Sequence, residues 1–326
     1  MIEYIAIGAI LLAFEYAYLQ FARRLGIVDR PHYQSSHTGV VVRGGGVGFY
    51  FAYLLWYMGA GLQYPMIFAG LTIIAVTSFV DDIHSISPKV RMVLQFAAMM
   101  VMLYETHVFN LPLRAMILLS IACVGAVNIY NFMDGINGMT GGYSFVVTFA
   151  LLYVNRNVVD FVDERLLVYA FLAVVVFCVF NFRRHAKCFA GDVGSLSIGF
   201  ILIFLILKLI FKTGHMYWMA FLVVYAVDGG LTILHRVLLR ENVLLPHKKH
   251  AYQIMANELG MTHIVVSVIY MAMQTVCCIV FIAYPSNWTL FGEVLVLGVA
   301  YLAFMKEYYH LHEEYLEHLK VNSWYG

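Results

Sequence analysis

The chain has 326 residues, of which 62% are hydrophobic and only 12% are charged. Because soluble domains carry roughly 25% charged residues, this composition excludes an ordinary soluble protein and indicates an integral membrane protein. The formal net charge is +1 and the sequence contains no basic tract, so we expect no nucleic-acid partner.

Apolar runs long enough to cross a hydrocarbon core of ~30 Å recur along the whole chain. They predict one all-α integral membrane domain over residues 1–326, a polytopic bundle of about eleven transmembrane helices, with ten as the alternative count. The predicted spans are about 2–22, 45–62, 65–80, 91–107, 113–130, 139–154, 164–182, 196–212, 216–235, 261–283 and 289–305. Residues 306–326 form the predicted C-terminal tail.

The distribution of basic residues predicts how this bundle is oriented. Eleven crossings place the two ends of the chain on opposite faces of the membrane. The loops on one face, together with the tail, contain most of the 20 Lys and Arg residues. The positive-inside rule therefore predicts that this face is cytoplasmic, with the N-terminus outside and the C-terminal tail inside. The polar motifs of the chain all fall on this face.

The first two polar segments flank the second and third predicted spans. The loop before the second span contains His37 and the glycine triplet Gly44–Gly46, which lets the backbone approach a ligand or a helix closely. Asp81 and Asp82 directly follow the third span. At a helix end both carboxylates can turn into one cleft, where they could hold Mg²⁺ or act as a base. A solvated helix end is the alternative interpretation.

Polar side chains recur every three residues around the end of the fifth predicted span, and they are predicted to form one polar stripe. A buried amide stripe needs hydrogen-bonding partners. Beside a carboxylate and the glycines at 135 and 138, it suits a nucleotide and its metal ion, although helix association is the alternative. The residues are Asn128, Asn131, Asp134 and Asn137.

The segment Gly191-Asp192-Val-Gly194-Ser195 opens the eighth predicted span. A helix N-terminus bordered by glycine offers free backbone N–H groups and the positive end of the helix dipole, so it predicts a phosphate site. Asp192 would hold the metal ion that bridges the phosphate. An ordinary N-cap is the alternative. Phe189 could stack on a base or pack in the core.

The last polar segment is the loop that follows Asp228 and Arg236. Asp228 lies inside the ninth predicted span, where an acid is a candidate site residue. His247-Lys248-Lys249-His250 lacks a third ligand at zinc spacing. Its two lysines, and its two histidines when they are protonated, fit a diphosphate better than a transition metal ion. Ordinary loop charge on the cytoplasmic face is the alternative.

Together these motifs resemble the polyprenyl-phosphate N-acetylhexosamine-1-phosphate transferases, over about two-thirds of the chain. The segments Asn-Ile-Tyr-Asn-Phe-Met-Asp-Gly-Ile-Asn-Gly and Phe-x-Gly-Asp-x-Gly-Ser are specific to that superfamily. His-Lys-Lys-His-Ala-Tyr-Gln is similar to the motif of the bacterial branch that initiates O-antigen and other surface polysaccharides. An ion-coupled secondary transporter is the alternative class, but we find no inverted repeat and the acids lie mainly at one face.

The resemblance implies a Mg²⁺-dependent reaction, with Mn²⁺ as the alternative ion, at the cytoplasmic face of the bacterial inner membrane. A UDP-N-acetylhexosamine would give its sugar-1-phosphate to undecaprenyl phosphate, a membrane lipid, and release UMP, the first membrane step of O-antigen or cell-wall synthesis. UDP-N-acetylglucosamine is the default donor, and 6-deoxy relatives such as UDP-N-acetylfucosamine and UDP-N-acetylquinovosamine are alternatives. The resemblance also allows a homodimer.

The resemblance implies a role for most of the residues named above. Asn131 and Asp192 would hold Mg²⁺, while Asp81 and Asp82 would orient or deprotonate the acceptor phosphate. The remaining expectations are Asn137 on the uracil edge, Phe189 stacked on the base, Asp134 against the nucleotide, and His247 and His250 on the diphosphate or sugar. Further candidates for substrate binding are Asn128, Gly191, Asp228, Arg236, Lys248 and His37.

Overall fold

The computed structural model describes residues 2–29, 39–106, 112–242 and 247–322, with side chains up to His312. These residues contain twelve α-helices and one small antiparallel sheet, in which Val28–Asp29 (β1) pairs with Val41–Val42 (β2). The helices are α1 (Ile2–Leu25), α2 (Val47–Gly59), α3 (Pro65–Ile83), α4 (Pro88–Glu105), α5 (Leu113–Phe132), α6 (Met139–Asn157), α7 (Glu164–Asn181), α8 (Gly191–Thr213), α9 (Val223–Leu238), α10 (Ala251–Asn257), α11 (His263–Ala283) and α12 (Asn287–Asn322).

The all-α, multi-pass architecture predicted from the apolar runs is confirmed. Every predicted span coincides with a helix, and the ninth includes a 3-10 segment at Met216–Leu222 that continues into α9. Within the described residues, eight helical segments are long and apolar enough to cross a membrane. The short helix α10 was not predicted, because seven residues of mixed polarity give no apolar run.

Several helices begin where local chemistry favours a first turn. Pro65 and Pro88 stand at the starts of α3 and α4, where the missing N–H of proline costs no helical hydrogen bond. Ser87 accepts a hydrogen bond from Val90 N across the first turn of α4. Gly138 precedes α6 with φ of +85°, a conformation that favours glycine. These residues account for where the three helices begin.

Helix α8 lies at the centre of the bundle and α12 lies at its edge. Over an apolar stretch of 18 residues in each helix, 94% of the residues of α8 are buried, against 11% of those of α12. Helix α8 packs against α2, α3, α5 and α6, whereas α12 packs mainly on α9 and α10. The first turn of α8 therefore lies near the middle of one end of the bundle, surrounded by other helices.

The glycine triplet packs against the start of α8. Val42 of β2 also forms a bridge with Cys188, which draws the loop before α8 onto the small sheet. A Cβ atom added at Gly46 would overlap the backbone of Gly194, and one added at Gly45 would lie 2.6 Å from Cys188 Sγ. The glycines thus permit helix and loop packing that no larger residue allows.

Candidate active site

The Asp82 side chain caps the N-terminus of α8. Its two carboxylate oxygens each accept a backbone hydrogen bond at 3.0 Å, one from Asp192 N and one from Val193 N. Arg43 Nε lies 2.8 Å from Asp82 Oδ1, and the Asp82 side chain is 0% exposed. The sequence predicted free N–H groups at this helix start, and the structure corrects this for two of them, which a carboxylate of the chain already occupies.

Gly191 makes this capping contact possible. Its φ is +70°, and a Cβ atom there would lie 2.5 Å from Asp82 Oδ2 and 2.9 Å from Gly44 Cα. Any side chain would push Asp82 away from the helix start. The structure thus gives Gly191 a packing reason for being glycine, and its predicted contact with a substrate stays a prediction.

Arg91 joins the other two carboxylates of this group. Its Nη1 lies 2.7 Å from Asp81 Oδ2 and its Nη2 lies 3.0 Å from Asp192 Oδ2. Asp81 also accepts a hydrogen bond of 2.6 Å from Ile86 N, in the turn between α3 and α4. The Arg91 and Asp192 side chains are 28% and 18% exposed, so this part of the group is open. We call Asp81, Asp82, Asp192, Arg43 and Arg91 the acid cluster.

The predicted polar stripe around the end of α5 divides among four neighbours. Helix α5 ends at Phe132, so the last two members lie in the following turn. Asn128 Nδ2 donates to Gln95 Oε1 (2.8 Å), Asn131 Oδ1 accepts from Ser195 Oγ (2.6 Å), Asp134 Oδ1 accepts from Thr140 Oγ1 (2.5 Å), and Asn137 Nδ2 donates to Arg183 O (3.2 Å). The prediction of a single stripe is therefore wrong, although Asn131 does meet the first turn of α8.

Asp134 has the chemistry of a carboxyl group that keeps its proton near neutral pH. Burial, together with the charges of Asp192 and Asp82, raises its pKa to about 8, against the opposing hydrogen bond from Thr140. A protonated carboxyl can donate a hydrogen bond to a phosphate or base oxygen. This is compatible with the predicted place of Asp134 beside a nucleotide.

A buried carboxylate holds the second group of site residues. Asp228 Oδ1 lies 3.1 Å from His250 Nδ1 and accepts from Ala251 N at 3.3 Å, while Asp228 Oδ2 accepts from the Tyr270 hydroxyl at 2.5 Å. Because Asp228 accepts, Nδ1 of His250 carries a proton. His250 Nε2 is buried and has no hydrogen-bond partner among the described residues. A ligand could therefore use this nitrogen.

The cations of residues 247–250, which we call the histidine loop, differ in their availability. Burial lowers the pKa of His247 to about 3, and it lowers the pKa of Lys248 as well. Lys249 Nζ and Arg236 Nε both pair with Glu241, which ties the loop to the end of α9. Arg236 is thus engaged in holding the loop.

The acid cluster and the histidine loop adjoin each other across the end of α5. The Phe132 carbonyl accepts a 2.8 Å hydrogen bond from the Tyr252 hydroxyl, and its ring centroid lies 6.1 Å from that of His247. Asn131, the preceding residue, accepts a hydrogen bond from Ser195 near the start of α8. Asp192, also near the start of α8, pairs with Arg91 of the acid cluster. The structure therefore brings both groups to one end of the bundle, which we call the polar end.

The remaining predicted residues are placed less directly. Asn137 is buried, and its Oδ1 has no partner among the described residues. The Phe189 backbone links Val42 O to Gly45 N, which places this residue beside the glycine triplet. His37 lies outside the described residues.

Sequence reasoning missed Arg91, Glu241 and Tyr270 as members of the site. For Arg91 its place beside the acidic pair was a usable signal, whereas Tyr270 is one phenol within an apolar helix.

Comparison with known proteins is consistent with this geometry. The sequence profile of glycosyl transferase family 4 matches residues 64–210, which include Asp81, Asn131 and Asp192. A probable undecaprenyl-phosphate N-acetylglucosaminyl 1-phosphate transferase of Bacillus subtilis is 26% identical over 267 residues, 75% of this chain and 73% of the relative. These matches support the polyprenyl-phosphate N-acetylhexosamine-1-phosphate transferase family for this chain.

Two enterobacterial relatives extend the comparison. The undecaprenyl-phosphate alpha-N-acetylglucosaminyl 1-phosphate transferase of Yersinia pestis is 28% identical over 232 residues, and that of Salmonella typhi is 29% identical over 226 residues. Each alignment covers 63% of this chain, with 62% and 61% of the respective relative, so it spans less than two thirds of those proteins. The profile match ends before α9, and the grouping of the histidine loop with the acid cluster therefore rests on the geometry.

Proposed function

We propose that this multi-pass membrane protein transfers N-acetylglucosamine-1-phosphate from UDP-N-acetylglucosamine to undecaprenyl phosphate and releases UMP. The observation that carries the proposal is the meeting of the acid cluster and the histidine loop at one end of an apolar bundle. The relatives are named for undecaprenyl phosphate and N-acetylglucosaminyl 1-phosphate, which supports the same acceptor and transferred group here. Bacterial relatives and the basic loops support an inner-membrane protein with a cytoplasmic polar end.

The donor atoms at the polar end suit Mg²⁺. Among the described residues, no three His, Cys, Asp or Glu side chains form a ready metal centre. Magnesium needs only one or two protein oxygens when substrate phosphates and water complete its shell. Asp192 Oδ2 and Asn131 Oδ1 provide such oxygens at the first turn of α8. A bound Mg²⁺ would offset the charge of the diphosphate and of the departing UMP, and Mn²⁺ is the expected substitute.

The reaction proposed here is a direct displacement at phosphorus. An oxygen of the acceptor phosphate forms a bond to the phosphorus that carries the sugar, and the bond from that phosphorus to the bridging oxygen breaks. The electron pair of the broken bond leaves on UMP. The acceptor phosphate is largely ionised near pH 7, so proton removal by Asp81 contributes little. Positioning and charge compensation contribute most.

The two arginines of the acid cluster have distinct tasks in this proposal. Arg43 holds Asp82, which in turn holds the start of α8, so both act on the position of Asp192. Arg91 is partly exposed and bridges two carboxylates. Its guanidinium fork is therefore able to turn one N–H group towards a phosphate oxygen.

The histidine loop would bind the sugar-diphosphate end of the donor. Asp228 fixes the His250 ring, so that Nε2 is the nitrogen left for a ligand. A neutral ring accepts a hydrogen bond from a sugar hydroxyl, and a protonated ring donates to the diphosphate. The His247 ring lies 4.9 Å from the His250 ring and 6.1 Å from the Phe132 ring, and Lys248 follows His247 in the loop. Which N-acetylhexosamine is preferred depends on this contact, and the 6-deoxy donors are the alternatives.

A transfer assay with purified protein tests the proposal. The protein in detergent is given undecaprenyl phosphate and UDP-sugars labelled in the sugar, from a panel of N-acetylglucosamine, N-acetylfucosamine and N-acetylquinovosamine. We expect label in the lipid fraction and equimolar UMP, with the highest rate for N-acetylglucosamine. Chelation by EDTA should stop the reaction and added Mg²⁺ should restore it. Absence of lipid label with every donor, from monodisperse protein with Mg²⁺, would refute the proposal.

A further inference from the structure

A cavity of about 360 Å³ lies between α9 and α12, outside the acid cluster and the histidine loop. Both helices run towards the polar end, so their higher-numbered residues lie nearer to it. The deeper wall is apolar and contains Leu231, Leu234, Leu302 and Met305. From Leu231 to Leu238 the wall extends roughly 10 Å along α9, at 1.5 Å per residue. We call this cavity the α9–α12 groove.

The groove opens on the outer surface of the bundle, between two helices that are apolar enough to span a membrane, rather than towards the interior. Leu302 on α12 is 60% exposed, and Leu234 on α9 is also exposed. A water-soluble molecule would have to cross hydrocarbon to enter through such a wall. The volume lies within the range of pockets that hold small molecules, roughly 300–1,000 Å³. An occupant is therefore expected to come from the bilayer.

The rim of the groove near the polar end carries a lysine and a histidine. Lys306 is exposed, and the His235 ring lies 5.0 Å from the Tyr309 ring. The described residues that line the groove include no carboxylate. A lysine at this depth would reach the headgroup level even without a ligand. The difference here is that Lys306 lines the same groove as the apolar residues Leu302 and Met305.

We propose that the α9–α12 groove binds an anionic phospholipid. One acyl chain lies along the leucine wall, and the phosphate group lies at Lys306 and His235. Basic pockets between transmembrane helices on the cytoplasmic side of a membrane bind anionic headgroups, at about 1 kcal/mol for each nearby basic residue. A second copy of this chain would need a broad surface, and the groove is instead a concave cleft of about 360 Å³ between two helices.

Polar contacts connect both ends of this groove to the histidine loop. Below it, the Tyr301 hydroxyl lies 2.8 Å from Thr232 Oγ1, and Thr232 donates to Asp228 at 3.2 Å. At the rim, Tyr309 lies close enough to Lys249 for an electrostatic interaction. A lipid that fills the groove would therefore support the loop from its outer side. Binding itself does not depend on the proposed reaction.

Native mass spectrometry of the purified full chain tests this inference. The protein is released from detergent after equilibration with equal amounts of phosphatidylglycerol and phosphatidylcholine. We expect one retained phosphatidylglycerol per chain, at least about fivefold over phosphatidylcholine, the effect of about 1 kcal/mol from one lysine. Lys306→Gln should remove this preference, whereas Lys212→Gln, an exposed lysine at the other end of α8, should keep it.

A second pair of variants tests the apolar wall. Leu302→Trp fills the groove and should reduce phosphatidylglycerol retention about tenfold. Leu295→Trp, also an exposed leucine on α12 (54% against 60%), should leave retention unchanged. Equal retention of both phospholipids by the wild type, or equal retention by the two tryptophan variants, would overturn the inference. Displacement of phosphatidylglycerol by one equivalent of undecaprenyl phosphate, blocked by Leu302→Trp, would assign the groove to the acceptor instead and would also overturn it.

Discussion

The acid cluster and the histidine loop meet at the polar end, but they are held in opposite ways. Ion pairs between helix ends hold the acid cluster, and Arg91 and Asp192 remain partly exposed. The histidine loop is held by Asp228, a buried carboxylate that accepts from Tyr270, Ala251 and the His250 ring. The difference indicates that the acid cluster can exchange partners when charged ligands arrive. The histidine loop is set before the ligand binds.

Removal of one charge from the open part of the acid cluster should have the largest effect. Asp192→Asn keeps the side-chain volume but removes the charge that would hold Mg²⁺, so we expect kcat to fall on the order of 10²–10³-fold. Thermal unfolding in detergent should change little. Asp160→Asn, an exposed position in the connection between α6 and α7, is the matched control. Near-normal turnover of Asp192→Asn would remove this residue from the active site.

The corresponding change in the histidine loop should combine lost activity with lost stability. Asp228→Asn leaves the His250 ring without its carboxylate, so the ring can turn or change tautomer. We expect kcat to fall about 10–100-fold and the melting temperature to fall as well, because four hydrogen bonds converge on this buried group.

The variant Tyr270→Phe sharpens the same comparison. It removes one hydrogen bond to Asp228 and should cost about 1.5–3 kcal/mol of stability, with a smaller loss of kcat than Asp228→Asn. Tyr284→Phe, at an exposed tyrosine beyond the end of α11, is its control. If Tyr270→Phe melts at the wild-type temperature, Tyr270 does not support the loop.

Replacement of Arg91 tests whether the geometry of the acid cluster matters beyond its charge. Arg91→Lys keeps the positive charge, but one ammonium group cannot reproduce the two-armed bridge between Asp81 and Asp192. We expect kcat/KM to fall about tenfold. Arg114→Lys, an exposed arginine at the start of α5, should have no effect. Full activity of Arg91→Lys would show that the bridge serves only as charge compensation.

The smallest expected effect is a pH-dependent change in stability at His247. Its pKa in the folded chain is lowered to about 3 from the usual 6.5, so the unfolded chain binds an additional proton as the pH falls below 6.5. His247 therefore contributes stability above pH 6.5 that is lost as the pH falls towards 3. The melting temperature of the wild type should drop more between pH 7 and pH 5 than that of His247→Gln. A parallel drop in both proteins would show that His247 is already protonated when folded.

The sequence predicted the helices and the gathering of acids well, since both follow from local patterns. Long apolar runs set the spans, and Asp81, Asp82 and Asp192 stand directly at span ends. Pairings between distant residues could not be read in this way. Nothing local indicated that Asp82 would cap α8 across 110 residues, or that Tyr270 in an apolar helix would turn to Asp228. The stripe failed because α5 ends at Phe132, so a three-residue period no longer keeps side chains on one face.

The most direct measurement follows the phosphorus atom that the polar end is proposed to transfer. UDP-N-acetylglucosamine carrying ³²P in the phosphate next to the sugar is incubated with purified protein, undecaprenyl phosphate and Mg²⁺. The account predicts that ³²P enters the lipid fraction together with the sugar, one unlabelled UMP being released for each lipid labelled, and that Asp192→Asn loses this transfer. Release of labelled UDP, or ³²P that stays in the aqueous fraction while protein and lipids are intact, would contradict it.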